Sequence, residues 1–395
     1  MTALEAGAGR SALAARLDAL FAKDERVGLG LLSGTSADAV DAALVRFRDG
    51  EKPRLLAYRP APIPDETRRA ILRIESARLA EVAELHYELG RLFAAAARAI
   101  VRETGIAADF AGSHGQTVFH RSRTTSAGAA TLQIGEPAVV AAETGVLTVA
   151  DFRPSDVAHG GEGAPLVPFL DRALFSSDGV PRCIVNLGGI ANLTALDGQP
   201  GGPAIAFDTG PANMPIDLAT RAVTGGAHSH DPDGRLAAAG TPDPELLDRL
   251  LDHPFLARPA PKSTGAQEFG ADFTEAFLRE SAAGREASDL LATLTRFSAE
   301  ALARAYEREV APRLPAREIV LCGGGVHNAT LVRAIRERFA PIPVVTTAAH
   351  GVDPDAKEAM LFALLAHETL AGRAGNVTAA TGARGPAVLG KIVWP

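Results

Sequence analysis

Cysteine is almost absent: Cys183 and Cys322 are the only two in 395 residues. Both sit in apolar runs, "RCIVNLGG" and "EIVLCGGG", so they read as buried free thiols suited to a reducing cytoplasm, not as a disulfide framework. Positive charge is also short. Lys and Arg number 40 against 47 Asp and Glu, and a formal charge of −7 argues against a nucleic-acid or anionic-membrane partner. No apolar run approaches the length of a membrane span, and the N-terminus lacks the charged start and long apolar middle of a signal peptide. A cytoplasmic protein is therefore expected. No repeat of solenoid period is present. No G-x-x-x-x-G-K-[ST] occurs, and "GLGLLSG" (28–34) is apolar and feeds a second strand instead of opening a helix, so P-loop and dinucleotide-binding readings both lose ground.

What is present is an ordinary globular composition, 47% hydrophobic and 22% charged. The chain is longer than one hydrophobic core usually serves, so two domains are expected. Short β-branched runs (28–32, 42–47, 109–113, 147–152, 182–187, 192–196, 204–207, 318–322) predict strands. Longer segments of helical period (66–74, 79–103, 164–175, 214–223, 244–252, 271–283, 290–310, 328–339, 354–371) predict helices, and the alternation argues an α/β fold. Residues 1–26 read as an extension with a short amphipathic helix carrying Leu13, Leu17, Leu20 and Phe21.

Several strands end in glycine-dense polar loops: "SGTSADAVD" (33–41), "GSHGQT" (112–117), "NLGGIANLT" (186–194), "FDTGPAN" (207–213) and "CGGGVHN" (322–328). Strand ends are where α/β folds place ligands. Two of these loops, "SGTS" and "NLGGIAN", join strand to strand at comparable places in the two halves. Backbone N–H groups in such turns point at anionic oxygens, so the pair suits a polyphosphate. "GAHSHDPDG" (226–234) has two histidines and two aspartates but no calcium-loop glutamate or zinc-like partner pair, and reads as a surface loop.

Together with "QIGEPAVVAAETG", "VADFRPSDVAHGGEGAPLVP", "PKSTG" and "EAMLFALLAH", these motifs resemble, in order, those of the anhydro-N-acetylmuramic acid kinases, from about residue 27 to "TGARGPAVLG". The resemblance implies two RNase-H-like domains of the actin/hexokinase/Hsp70-like class around a cleft, here 27–178 and 179–375, with 376–395 returning to the first. It implies ATP with Mg²⁺ and a small 1,6-anhydro amino sugar, whose internal ether is hydrolysed while O6 is phosphorylated. A homodimer is compatible with it.

On that basis Asp208 is the candidate base, with helix capping as its plain alternative, and Glu358 helps to hold the attacking water. Gly34, Thr35, Ser36, Ala37, Asp38, Ala39, Val40 and Asp41 correspond to the phosphate loop, with Asp38 as metal ligand or, alternatively, a turn-fixing carboxylate. Gly188, Gly189 and Asn192 form the second phosphate hairpin, and Gly323, Gly324, Gly325 and Asn328 the nucleoside loop. His114, Gln116, Gln133, Asp151 and Arg153 supply sugar contacts. Arg153 suits a lactyl carboxylate or else a salt bridge, and His114 could equally be a core histidine. Lys262 would neutralise phosphate or sit on an exposed loop. Three departures stand near substrate: Ala39 for glycine, Glu162 for glutamine, and Ala266-Gln267 for Arg-Glu. If position 39 needs φ > 0, alanine strains it. These departures leave open a kinase of another anhydro sugar such as levoglucosan. An ordinary hexokinase-like kinase is a further rival, and an actin- or Hsp70-like ATPase a more distant one.

Overall fold

The computed structural model describes residues 8–34, 36–121 and 128–395, with side chains from residue 14 onward. The chain divides into two compact units, one running to Leu174 and resuming at Ala356–Pro395, the other Phe175–Asp355.

In the first unit β1 (Arg26–Ser33), β2 (Ala39–Phe47) and β3 (Arg54–Pro62) form an antiparallel meander. β4 (Phe110–Arg121) and β6 (Leu147–Ala150) add parallel to β1, while β5 (Ala130–Ile134) pairs antiparallel with the far half of β4. The last strand, Lys391–Val393, closes the edge beside β6. β1 is buried on both faces, which explains its near-continuous apolar run. One face packs on the helix Leu79–Thr104 through Leu29, Leu31, Leu89 and Phe93. The other lies under the helix Lys357–Leu370. A Cβ added at Gly30 would stand 1.8 Å from the Ala359 carbonyl oxygen, and one at Gly112 would stand 2.0 Å from that of Phe362. Those two glycines let the helix backbone rest directly on the sheet.

In the second unit β7 (Arg182–Leu187), β8 (Ile190–Leu196) and β9 (Ala204–Pro211) repeat the meander. β10 (Glu318–Cys322) and β11 (Val344–Thr346) repeat the parallel extension. With β5 set aside, the first sheet runs β3-β2-β1-β4-β6 and the second β9-β8-β7-β10-β11, so the two share one strand order. Cys183, Val185, Leu187 and Leu321 pack against the helices Ala287–Ala305 and Ala329–Phe339, and both cysteines are free and buried.

The division corrects the expected boundaries. The helix Lys357–Leu370 belongs to the first unit, not the second, because Met360, Leu361, Phe362 and Leu365 are buried and the helix packs on β1, β2 and β4. The N-terminal helix runs Ala8–Phe21; Leu20 is buried and the Phe21 ring meets His367.

Candidate active site

In the first unit the β1–β2 pairing closes at Leu32 opposite Asp41. Beyond it the chain turns through Ala37, which is buried and left-handed at φ 51°, with its N–H donating to the Gly34 carbonyl at 3.1 Å. Asp38 is exposed and accepts from Ser36 Oγ at 2.6 Å. Its carbonyl accepts from Ile63 N at 2.9 Å, which anchors the turn to the end of β3. A Cβ at Gly34 would meet open space. Thr35 lies outside the described residues. Two expectations change here. Ala39 starts β2 opposite Pro62 and is not left-handed, so alanine in place of glycine strains nothing there; the left-handed position is Ala37. Asp41 belongs to the strand and accepts from Tyr58 on β3 at 2.7 Å, which ties that carboxylate into the sheet beside the buried Val40.

Around β4 the candidate sugar contacts are already engaged with one another. Ser33 Oγ donates to Gln116 Oε1 (2.7 Å), and Gln116 Nε2 donates to the Thr117 carbonyl (3.2 Å). Gln133 Nε2 donates to Thr131 Oγ1 (2.7 Å) and Thr117 Oγ1 (3.2 Å), leaving its buried Oε1 without a partner. Arg153 Nε donates to His114 Nε2 at 2.9 Å, and its Nη1 donates to the Gly163 carbonyl at 2.9 Å. Burial brings the Arg153 guanidinium down to about 10, with the Glu358 carboxylate opposing. Burial raises Glu358, while Lys357 and Arg153 oppose. Beside Glu358, Lys357 Nζ and Asp171 Oδ1 form a buried ion pair at 2.5 Å that fixes the start of the helix. Asp151 precedes the helix Phe152–Ala158 in a left-handed conformation (φ 56°) and pairs with Lys391 at 2.7 Å.

A second layer, absent from the sequence reading, holds the "GGEGAP" loop. The fully buried Asp156 accepts from Gly163 N through Oδ2, and from Asn376 Nδ2 and Thr381 Oγ1 through Oδ1, each at 2.8 Å. Glu162 N donates to the Thr381 carbonyl at 2.8 Å.

In the second unit Asn186, Asn192 and Asp208 stand opposite one another across β7, β8 and β9, so their side chains share one face of the sheet. Asp208 accepts from Thr264 N at 2.9 Å, and its own N–H donates to the Lys262 carbonyl at 3.0 Å. Burial pushes its carboxyl up to about 6, against the Thr264 N–H, the Lys262 charge and the Ser263 hydroxyl. It caps no helix. Lys262 is neither exposed nor free for phosphate: it is buried, donates to the Phe255 and Leu256 carbonyls (3.1 and 3.3 Å), and lies 4.3 Å from the Phe255 ring centroid.

The glycine turns share one partner that the sequence reading quoted without assigning. Asn213 Nδ2 donates to the Leu187 and Gly188 carbonyls at 3.0 and 2.9 Å, and its N–H donates to Gly188 as well. Ala212 and Met214 N–H groups donate to the Gly189 carbonyl. Gly323 is left-handed at φ 78°, where a Cβ would meet Asn186 Oδ1 at 2.3 Å, and a Cβ at Gly325 would meet Leu187 Cβ at 2.5 Å. Gly324 between them faces open space. Asn328 uses Oδ1 to cap the helix Ala329–Phe339 through Leu331 N at 2.9 Å. In the 226–234 loop both histidines are exposed, while Asp231 is buried and accepts from Leu236 and Ala237 N–H groups.

Two α/β units of one strand order, each opening on a hairpin with a glycine-bearing turn, give the two-unit α/β fold expected of a sugar kinase. The chain belongs to the anhydro-N-acetylmuramic acid kinase family, which it matches over residues 26–395. It is 39% identical to the anhydro-N-acetylmuramic acid kinase of Caldanaerobacter subterraneus subsp. tengcongensis, over 95% of this chain and 99% of that one. With the Salinibacter ruber enzyme of the same name the identity is 43%, over 96% and 100%. Among solved structures, component A of the Acidaminococcus fermentans (R)-2-hydroxyglutaryl-CoA dehydratase covers 87% of this chain and 99% of its own, at 12% identity and a TM-score of 0.45.

Proposed function

We propose that this protein uses ATP to convert 1,6-anhydro-N-acetylmuramic acid and water into N-acetylmuramic acid 6-phosphate, a cytoplasmic step of peptidoglycan recycling. The observation that carries the reading is Asp208, a carboxyl in the second half of β9 whose proton affinity burial raises to about 6, within a chain matching this kinase family almost throughout. At neutral pH such a group is ionised yet basic enough to accept a proton.

Asp208 takes a proton from water attacking C1. The C1–O6 bond breaks, and the developing O6 alkoxide attacks the γ-phosphorus of ATP, expelling ADP. One base serves both halves, because the leaving group of the first is the nucleophile of the second. Glu358 accepts a hydrogen bond from the water. Arg153 Nη2, which has no hydrogen bond among the described residues, pairs with the lactyl carboxylate, and Gln133 Oε1, likewise unpartnered among them, accepts from the N-acetyl N–H. Backbone N–H groups around Gly34, Gly188 and Gly324 hold the phosphates, where Gly34 and Gly324 leave open room. Among the described residues no three His, Cys, Asp or Glu side chains converge to hold a metal. A single carboxylate, Asp38, fits Mg²⁺, which keeps several waters and takes other ligands from phosphate. Bound there, the ion neutralises charge on the transferring group.

Incubation with ATP, Mg²⁺ and the anhydro sugar in ¹⁸O-water tests both halves. The expected product is a 6-phosphate labelled at C1, read by mass spectrometry. Phosphorylation without label removes the hydrolytic step. Absence of product from this sugar, with turnover of levoglucosan, reassigns the substrate.

A further inference from the structure

We infer that His114 acts on the sugar only through Arg153, as a positioning residue and not as a sugar ligand. This rests on Arg153 being a sugar contact. Both ring nitrogens of His114 are spent inside the protein. An arginine Nε–H can only donate, so the 2.9 Å contact makes His114 Nε2 the acceptor. Nδ1 must then carry the proton, which it donates to the Gly115 carbonyl at 3.0 Å. That carbonyl is aimed by Gly115, left-handed at φ 75°, where a Cβ would stand 2.6 Å from the Ile134 carbonyl oxygen.

The ring is 5% exposed and packs on Phe362 with centroids 4.4 Å apart. Phe362 also meets Phe152, the residue before Arg153, at 5.5 Å. It lies one helical turn after Glu358 on the helix Lys357–Leu370. His114 thus sets the guanidinium plane by its Nε2 and registers it against the helix that carries Glu358 by its face. Protonation is opposed by burial and by Arg153, which keep the imidazole well below its usual range and so neutral.

The test is a double-mutant cycle on sugar KM, with ATP KM as control. Asparagine reproduces Nδ1 of the ring and glutamine reproduces Nε2. His114→Asn is therefore expected to raise sugar KM about tenfold or more, the worth of a hydrogen bond to a charged group, and His114→Gln to restore most of it. His114→Asn with Arg153→Met should be no worse than Arg153→Met alone. Losses that add, or a His114→Gln as impaired as His114→Asn, would overturn the inference. An unchanged sugar KM in Arg153→Met, with ¹⁸O-labelled product still formed, overturns it too and leaves the proposed reaction standing. Should the variants misfold, ¹⁵N-histidine spectra of the wild-type protein decide. An Nδ1-protonated, neutral ring is expected, and an Nε2-protonated one refutes the assignment.

Discussion

Asp208 is held where a carboxylate is uncomfortable. The unfolded chain releases its proton near 3.8, whereas the folded protein keeps it until about 6. Between those values the native state binds more protons than the unfolded one, so this group's contribution to stability falls as pH rises from about 4 to 6. Above pH 6 the penalty is constant, on the order of 2–3 kcal/mol from a shift of about two units. Asp208→Asn should therefore abolish turnover while leaving ATP binding intact, and should melt higher than wild type at pH 8 by calorimetry, with the gap closing toward pH 4. A variant that is inactive and also less stable at pH 8 would contradict the burial argument. The same carboxyl must be ionised to act as base. The acid limb of kcat/KM should accordingly rise with pH and level off above about 6. A flat profile from pH 5 to 8 would exclude it. Lys262 teaches the converse lesson: a lysine in a motif loop invites a phosphate role, and its burial against two carbonyls and a ring removes it from consideration.

At the level of elements, the helix Lys357–Leu370 decides most. It holds Glu358, and its seat depends on two hydrogen atoms where any other residue has a side chain. Gly30→Ala would push a methyl carbon against the Ala359 carbonyl. The expected result is a loss of about 1–3 kcal/mol or more from overpacking, with a fall in kcat larger than any change in ATP KM, read from thermal melts and initial rates. Lys357→Met removes the cation from a buried ion pair with Asp171 and should cost about 3–5 kcal/mol. This contact layer also marks the limit of what the sequence discloses. Gly112 reads as the start of a glycine-dense ligand loop and Gly30 as part of an apolar strand, yet both serve helix-on-sheet packing, which pairs residues over 240 positions apart. β3 escaped notice for a related reason. It lies at the sheet edge, carries Arg54, Arg59 and Pro60, and none of its residues is buried, so no apolar alternation announces it; pairing with β2 alone makes it a strand. The hairpin turns and Asp208 were legible because strand-end glycines and a carboxylate before Gly210-Pro211 are local signals. The His114–Arg153 bond, the Asn213 clamp on the glycine turn and the Tyr58–Asp41 bond were not, since each joins separate segments.

Across the whole molecule, both ends of the chain work on the first unit. Arg16 donates to the Gly145 carbonyl at 3.0 Å and lies 5.5 Å from the Trp394 ring centroid, while Leu20 and Phe21 close over the end of the sheet. These residues precede the family match, which begins at 26. Removing residues 1–21 should leave KM for sugar and ATP unchanged and lower the melting temperature, by burial worth about 2–3 kcal/mol. A change in sugar KM would show that the extension reaches the site. At the other end, Asn376→Leu should loosen the Gly160–Gly163 loop, seen as faster amide exchange at Gly163 and weaker sugar binding. Unchanged protection there would mean Thr381 alone suffices.

The Asp156 clamp also has a timetable. Its two side-chain partners are made 220 and 225 residues after it. At a synthesis rate of about 5–20 residues per second, Asp156 waits roughly ten to fifty seconds for them. By the end of that interval every glycine turn and Asp208 have left the ribosome, while the loop behind Arg153 has only its local bonds from Gly163 N to Asp156 and from Arg153 to the Gly163 carbonyl. The proposed sugar site is therefore fully anchored only once residues 376–381 have been made. A chain released early would carry the proposed phosphate turns without the Asn376 and Thr381 anchors of the loop behind Arg153.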